Sequence, residues 1–393
     1  MQLLLSHCAI ASSLGNGVNA TAQALLARQS GLKPCCFDSV DLHTHVGQVS
    51  ESHLTALPER FARFECRNNR LAQLGLLQDD FVAAVDAAKL RYGAGRIGVF
   101  LGTSTSGILQ TELAYRRRDA QSGALPADFI YASTQNNFSL GQFVRSYLGL
   151  NGPAWVVSTA CSSSAKVFAN AARAVQIGLC DAAVVGGVDS LCLTTLYGFA
   201  SLGLVSAAPC RPFDAERNGI SIGESAGFAL LEKPRSSGGL RLLGTGESAD
   251  AHHMSTPHPH GLGARLAMQR ALTSANLHAA DIDYINLHGT ASRSNDSAEE
   301  NAVFELFGSD TPCSSTKGWS GHTLGAAGIT EAIVCAIAVE RGFLPGSVHT
   351  EKLDAQFRID YLIENRRAAP RVVMSNSFGF GGTNCSLVLG RTP

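Results

Sequence analysis

The sequence predicts an α/β protein made of two similar halves, and three observations carry that reading. Residues 155–190 show a compact strand–helix–strand pattern, a comparable layout recurs after residue 280, and a Pro/Ser/Gly stretch lies between them. That stretch, Lys233-Pro234-Arg235-Ser236-Ser237-Gly238-Gly239, divides the chain into residues 1–235 and 236–393. A chain of 393 residues has room for two such units, or for one large duplicated domain.

Leu3–Ala11 reads as a first strand that turns at Gly15-Asn16-Gly17 into a helix around Ala20–Arg28. Residues 96–103 are largely apolar, as in a strand buried on both faces. Trp155–Ser158 is a short strand. The helix after it carries Cys161, Ala165, Phe168, Ala172 and Val175 on one face, at steps of four and three, and stops at Gly178. Residues 181–187 return as a buried strand ending in a double-glycine turn.

In the second half, Ile282–Leu287 is a strand that runs into a polar loop at His288. A helix after Gly321-His322 carries Ile329, Ile333, Ala336 and Val339, and ends near Gly342 and Pro345. Arg371–Ser375 and Cys385–Leu389 are strands on either side of the loop Phe378-Gly379-Phe380-Gly381-Gly382. Parallel strands with crossover helices are expected in each half. Sites in such sheets form at the carboxyl ends of strands, where all these polar loops fall.

Composition narrows the function classes. Hydrophobic residues make up 45% and charged residues 16%, so much of the surface is expected inside the fold or against another subunit. A formal net charge of −1 removes any global electrostatic case for nucleic acid or membrane binding. The 11 cysteines are scattered without a CxxC pair, which suits a reducing cytoplasm better than a disulfide framework or a zinc site. The segment Met1–Cys8 lacks a basic region and a long apolar run, so a strand is expected there rather than a signal peptide. No apolar run approaches the roughly 18 residues of a membrane-spanning helix.

Cys161 stands out by its place. It lies in Ser158-Thr159-Ala160-Cys161-Ser162-Ser163-Ser164, where a strand gives way to a helix. The helix macrodipole at such a start favours thiolate over thiol, and so favours nucleophilicity. Three other small-residue loops carry polar chemistry. His288-Gly289-Thr290-Ala291-Ser292 is followed by Asp296 and Glu299. Ser315-Thr316-Lys317-Gly318-Trp319-Ser320-Gly321-His322 continues into Thr323-Leu324-Gly325-Ala326-Ala327-Gly328. Asn376-Ser377-Phe378-Gly379-Phe380-Gly381-Gly382-Thr383-Asn384 is the last. Any one of these has an ordinary structural reading. Together, a thiol, two histidines, a lysine and glycine-rich amide donors are what covalent acyl transfer requires.

This set of motifs resembles the β-ketoacyl-acyl carrier protein synthases of the thiolase-like superfamily, in their Cys-His-His branch. The likeness covers essentially the whole chain. It includes Arg211-Pro212-Phe213-Asp214, Gly223-Glu224-Ser225-Ala226-Gly227 and His253-Met254-Ser255-Thr256-Pro257. The resemblance implies a thiolase-like fold, two α/β halves in α-β-α-β-α layers. It implies decarboxylative condensation of an acyl-cysteine at Cys161 with a malonyl thioester, with His288 and His322 assisting decarboxylation. By the same resemblance Lys317 is the active-site lysine, Glu331 a carboxylate near it, and Asp296 and Glu299 supporting groups. Phe380 and Cys161 would supply oxyanion amides, Phe378 and Phe380 a gate, and Thr290, Ser292, Ser255 and Thr256 a path for pantetheine. Thr105 matches an acyl-tunnel position.

The family carries its substrates on the phosphopantetheine of an acyl carrier protein, with no permanently bound cofactor and no metal. Its members dimerise through the sheet of the first half. A homodimer, or a heterodimer with a homologous ketosynthase-like subunit, is therefore expected. In a heterodimer this chain could be the active or the chain-length-setting member, although the latter typically lacks the nucleophile. Thiolases are disfavoured because the C-terminal glycine-rich loop has no second cysteine. The sequence departs from the family at Ala291-Ser292, at Asn218 in place of aspartate, and in a short stretch between Leu202 and Cys210.

Three further features bear on function. Gly219-Ile220-Ser221-Ile222-Gly223 satisfies the hydrolase elbow pattern but follows a charged segment instead of a buried strand. The histidine tract from His252 to His260 contains two prolines and reads as a loop. Arg60, Arg63, Arg67 and Arg70, spaced for one helical face, together with Arg116-Arg117-Arg118, are either solvated surface or a dock for an acidic carrier protein.

Overall fold

A computed structural model describes residues 2–234 and 238–391. Its main strands are β1 (Leu3–Ser12), β2 (Ile97–Gly102), β3 (Ala154–Val157), β4 (Ala182–Asp189), β5 (Ser225–Glu232), β6 (Leu240–Ala249), β7 (Tyr284–Asn286), β8 (Cys313–Ser314), β9 (Val372–Gly379) and β10 (Thr383–Arg391). The lateral order is β8-β7-β9-β10-β6-β1-β5-β4-β2-β3. From each outer edge inward, both halves run third strand, second, fourth, fifth, first. The halves join where β1 pairs antiparallel with β6 at Leu3↔Leu242.

The principal helices are α1 (Arg67–Leu76), α2 (Phe81–Tyr92), α3 (Phe138–Tyr147), α4 (Ser163–Gln176), α5 (Leu262–Ala275), α6 (Arg293–Phe307) and α7 (Ala327–Arg341). The central core joins α4 and α7 to the inner faces of both sheet halves, with Phe100 and Val185 from one and Val373 and Leu387 from the other. A second core lies between the outer face of the first half and α1, α2 and α3. A third lies between the outer face of the second half and α5 and α6. This is the expected α-β-α-β-α layering.

Strand direction differs from the sequence expectation. β5 is antiparallel to β4 and β1, and β10 is antiparallel to β9 and β6. The reason at β10 is chain length. Phe380–Gly382 is a three-residue turn, too short for the crossover that a parallel neighbour needs. β9 itself continues through Asn376-Ser377-Phe378, which the sequence suggested as loop. The expected double-glycine turn is also absent: Gly186 and Gly187 lie within β4. A Cβ on Gly187 would stand 2.6 Å from the Ser164 Cβ, so the glycine lets α4 lie close on the sheet. The expected boundary at residues 235 and 236 lies outside the described residues. No described helix is long and apolar enough to cross a membrane.

Candidate active site

Cys161 follows β3 and precedes α4. The residue before it, Ala160, has φ +50°, a strained conformation that turns the chain sharply and directs the next side chain inward. The elbow is held by hydroxyls: Ser163 Oγ donates to Ala160 O (2.6 Å), and Ser162 Oγ and Thr383 Oγ1 donate to Thr159 O (2.9 and 3.1 Å). Thr383 brings the second half directly onto the elbow. Cys161 is 6% exposed.

His288 follows β7, Lys317 follows β8, and His322 precedes α7, so the second half aims its polar ends at the first half's cysteine. His322 Nε2 lies 2.9 Å from Cys161 Sγ. The two imidazole rings are 5.4 Å apart and nearly perpendicular. One ligating atom of each of Cys161, His288 and His322 lies within 4.8 Å of the others. Lys317 Nζ is 3.3 Å from His288 Nδ1 and forms a short ion pair with Glu331. All of these side chains are buried.

Two buried carboxylates shape the His288 loop. Glu299 accepts hydrogen bonds from the amides of His288 (2.8 Å) and Gly289 (2.7 Å) and from Asn376 Nδ2 (3.2 Å). Asp296 accepts from the amides of Thr290 (3.0 Å) and Phe213 (2.9 Å). Thr290, Ser292, Ser255 and Thr256 line the cleft that opens on Cys161, with Phe378 and Phe380 at its side. Phe378 lies 5.9 Å from the His288 ring, and Phe380 lies 5.5 Å from Phe199. The sequence reading missed Phe199, Leu204, Asp250 and Asn384, which line the same cleft. No motif marks the first three, and Asn384 closes the last glycine-rich loop, where sequence alone assigns it no role. Thr105 does not line this cleft: its amide and hydroxyl are bound to Asp189 (2.8 Å each).

The electrostatics correct the simplest reading of Cys161. Burial pushes its thiol up to about 12, against the Lys317 charge and the Phe380 amide, which pull it down. Cys161 stands at the helix start as expected, but desolvation outweighs Lys317 and the Phe380 amide and the resting group is a thiol. Burial and the Lys317 charge hold His322 well below the ordinary histidine range, and His288 is lowered by burial, Lys317 and His322. Cys161 therefore rests as a neutral thiol beside a neutral imidazole.

The expected arginine face does not form. Arg60 and Arg63 sit in a 3-10 segment, Glu59–Phe64, and Arg67 and Arg70 in α1, with a break at Glu65-Cys66 between them. Arg67 is buried and donates from Nε to Glu224 (2.9 Å), while Arg70 pairs with Glu65. Arg116 and Arg117 pair with Asp38 (2.8 Å) and Asp128 (3.0 Å). Ser221 of the elbow-like motif is fully buried and accepts from the Cys210 amide, 3.0 Å away.

Layered fold and buried thiol–imidazole site together define a thiolase-like acyltransferase. Residues 8–236 match the family description "Beta-ketoacyl synthase, N-terminal domain", and residues 241–351 match "Beta-ketoacyl synthase, C-terminal domain". The chain belongs to the beta-ketoacyl synthase family, whose members act in fatty-acid or polyketide-type biosynthesis. It is 38% identical over 313 residues to a 3-oxoacyl-[acyl-carrier-protein] synthase 2 of Rhizobium meliloti, covering 75% of this chain and 74% of the relative. It is 30% identical to the Vibrio harveyi protein of the same name, covering 98% of each. Among solved structures, a ketosynthase (ApeO) in complex with its chain length factor (ApeC) from Xenorhabdus doucetiae superposes with a TM-score of 0.89 at 37% identity, covering 99% of this chain and 98% of that one.

Proposed function

We propose that this chain forms carbon–carbon bonds between an acyl group held on Cys161 and malonyl-acyl carrier protein. The observation that carries the reading is the 2.9 Å approach of His322 Nε2 to Cys161 Sγ, with His288 beside it and Lys317 behind. In the first step the sulfur attacks an acyl thioester carbonyl. The thiol proton passes to neutral His322 and then to the departing pantetheine sulfur. The amides of Cys161 and Phe380 receive the oxyanion.

In the second step malonyl-carrier protein enters the emptied cleft, where Thr290, Ser292, Ser255 and Thr256 offer hydroxyls to the pantetheine arm. His288 and His322 donate to the thioester carbonyl while its carboxylate leaves as carbon dioxide. The resulting enolate carbon attacks the acyl-cysteine, a carbon–carbon bond replaces the carbon–sulfur bond, and Cys161 leaves as a thiolate that takes one proton from water by way of His322. Burial, reinforced by the charge of Lys317 in its pair with Glu331, keeps both imidazoles neutral, each with one N–H to donate.

The relative solved with its chain length factor supports a second feature, pairing with a homologous partner in which this chain is the active member. Eleven free cysteines suit a cytoplasmic setting. The test is intact-mass analysis after mixing the protein with a panel of acyl-carrier proteins. Wild type should gain the acyl mass and Cys161→Ala should gain none. Acylation of the alanine variant at the wild-type rate would overturn the mechanism. A copurifying homologue lacking the nucleophile would establish the heterodimer, and a self-paired chain would exclude it.

A further inference from the structure

Asp189, the last residue of β4, is fully buried and gathers an unusual set of donors. Its Oδ1 accepts from Thr103 Oγ1 (2.7 Å) and from the amide and hydroxyl of Thr105 (2.8 Å each). Its Oδ2 accepts from Ser104 Oγ (2.6 Å) and from the Gly325 amide (2.5 Å), while the Ser104 amide reaches both oxygens (2.8 and 3.0 Å). Every donor is an amide or a hydroxyl.

The two ends of this cluster belong to different halves. Residues 103–105 continue from β2, whose Gly102 pairs with Val157 of the strand that leads to Cys161. Gly325 lies in the 3-10 turn Leu324–Ala326 that joins His322 to α7. Leu324 in that turn has φ +54°, so the turn is held in a strained shape. On its other side His322 is fixed by its amide to Ser221 O (2.7 Å) and by its carbonyl to the Gly223 amide (2.9 Å). Asp189 supplies the matching restraint from the cysteine's own sheet.

We infer that Asp189 is a positioning residue for the condensation reaction: one buried carboxylate holds the His322 turn at its working distance from Cys161. The inference rests on the proposed function for what the geometry serves, but not for the geometry itself. It assigns Thr105 a different part as well, since its hydroxyl belongs to this anchor. An amide in place of the carboxylate cannot serve, because either orientation points an NH2 group at existing donors.

The test compares wild type, Asp189→Asn and Gly325→Ala in condensation kinetics and in alkylation of Cys161 by iodoacetamide. Asp189→Asn should lower kcat roughly ten- to hundredfold with KM for malonyl-carrier protein little changed. Alkylation should move the other way. The Cys161 thiol, flanked by His322 and His288, is raised by burial, Asp189 and Glu331 and lowered by the Lys317 charge and the Phe380 amide, so removal of the Asp189 charge should make alkylation faster at pH 8. Loss of packing alone predicts no such rise in thiolate. Gly325→Ala covers the case of a variant that does not fold. Its Cβ would stand 2.7 Å from Asp189 Oδ2, forcing the same contact apart with the carboxylate retained. It should lower kcat to a similar degree.

Condensation within twofold of wild type, in whichever variants fold, overturns the inference. So does alkylation of Asp189→Asn at the wild-type rate. A wild-type protein that alkylates normally but never condenses would instead overturn the proposed function.

Discussion

Substitution of Gly328 by alanine should damage catalysis more than stability. Gly328 is in the first turn of α7, where that helix crosses α4. An added Cβ would stand 2.4 Å from the Ala165 amide nitrogen, 2.7 Å from its Cβ and 2.9 Å from its Cα. Two of these neighbours are backbone atoms, so no side chain can rotate away. Ordinary contact begins at 3.4 Å, so the helices must separate by about 1 Å. Overpacking of this size costs about 1–3 kcal/mol, from which alanine's better helix propensity recovers less than ~1 kcal/mol. The catalytic cost is larger. Cys161 sits just before α4 and His322 just before α7, so separation of the helices opens the 2.9 Å contact directly. A misplacement of about 1 Å costs on the order of a hundredfold in rate. Urea denaturation followed by circular dichroism measures the first effect, and single-turnover condensation on acyl-loaded protein measures the second. Gly95→Ala is the control, since nothing lies within 4 Å of its added Cβ. A Gly328→Ala protein with the wild-type urea midpoint and wild-type turnover would refute the reasoning.

Two further outcomes follow from buried charge. Burial raises the Glu299 carboxyl to about 7, against the hydrogen bonds it accepts from Gly289, His288 and Asn376 and the charge of Lys317. Between its ordinary 4.5 and about 7 the folded protein holds a proton that the unfolded chain releases, so stability falls as pH rises through that window. The difference amounts to about 3 kcal/mol. Glu299→Gln should flatten the fall in urea midpoint between pH 5 and 8, and an unchanged slope would count against the assignment. Lys317→Met should slow alkylation of Cys161 at every pH from 7 to 9. Lys317 lowers the thiol more than Glu331 raises it, so the thiol climbs further once the pair is lost. Faster alkylation in that variant would show that Lys317 does not act on the sulfur as described.

The reacting side chains were legible in the sequence because each sits in a short loop with its own pattern. Cys161, His288, Lys317 and His322 were all expected at one site, and the structure brings Cys161, His288 and His322 to one cleft with Lys317 behind His288. What was not legible depends on distant contacts. Asp189 carries no motif, since its donors come from loops far apart in the chain and half of them are backbone amides. The state of Cys161 depends on burial by the second half, which no local pattern near residue 161 encodes. The arginine spacing misled because it counts positions and cannot register that Glu65 and Cys66 separate two helical segments. Apolar runs identified buried strands but not their direction, which the three-residue turn after β9 decides.

The duplicated architecture explains why this site can combine a nucleophile with a proton carrier. Each half places its central helix just after a reacting residue: α4 after Cys161 and α7 after His322. The two helices cross near their N-terminal ends, so both partial positive charges face one cleft. That field, with Lys317, favours the thiolate, while burial opposes it more strongly. The resting thiol is therefore protected, and its sulfur lies 2.9 Å from the Nε2 of an imidazole placed to take its proton. In the proposed mechanism nucleophilicity develops only when an acyl carbonyl occupies the cleft and the thiol proton passes to His322. A solvent-exposed cysteine at a helix start would be ionised more readily, but the same exposure would remove the burial that keeps the two histidines neutral. Burial is thus the common cause of the unreactive thiol and of the imidazoles' capacity to donate.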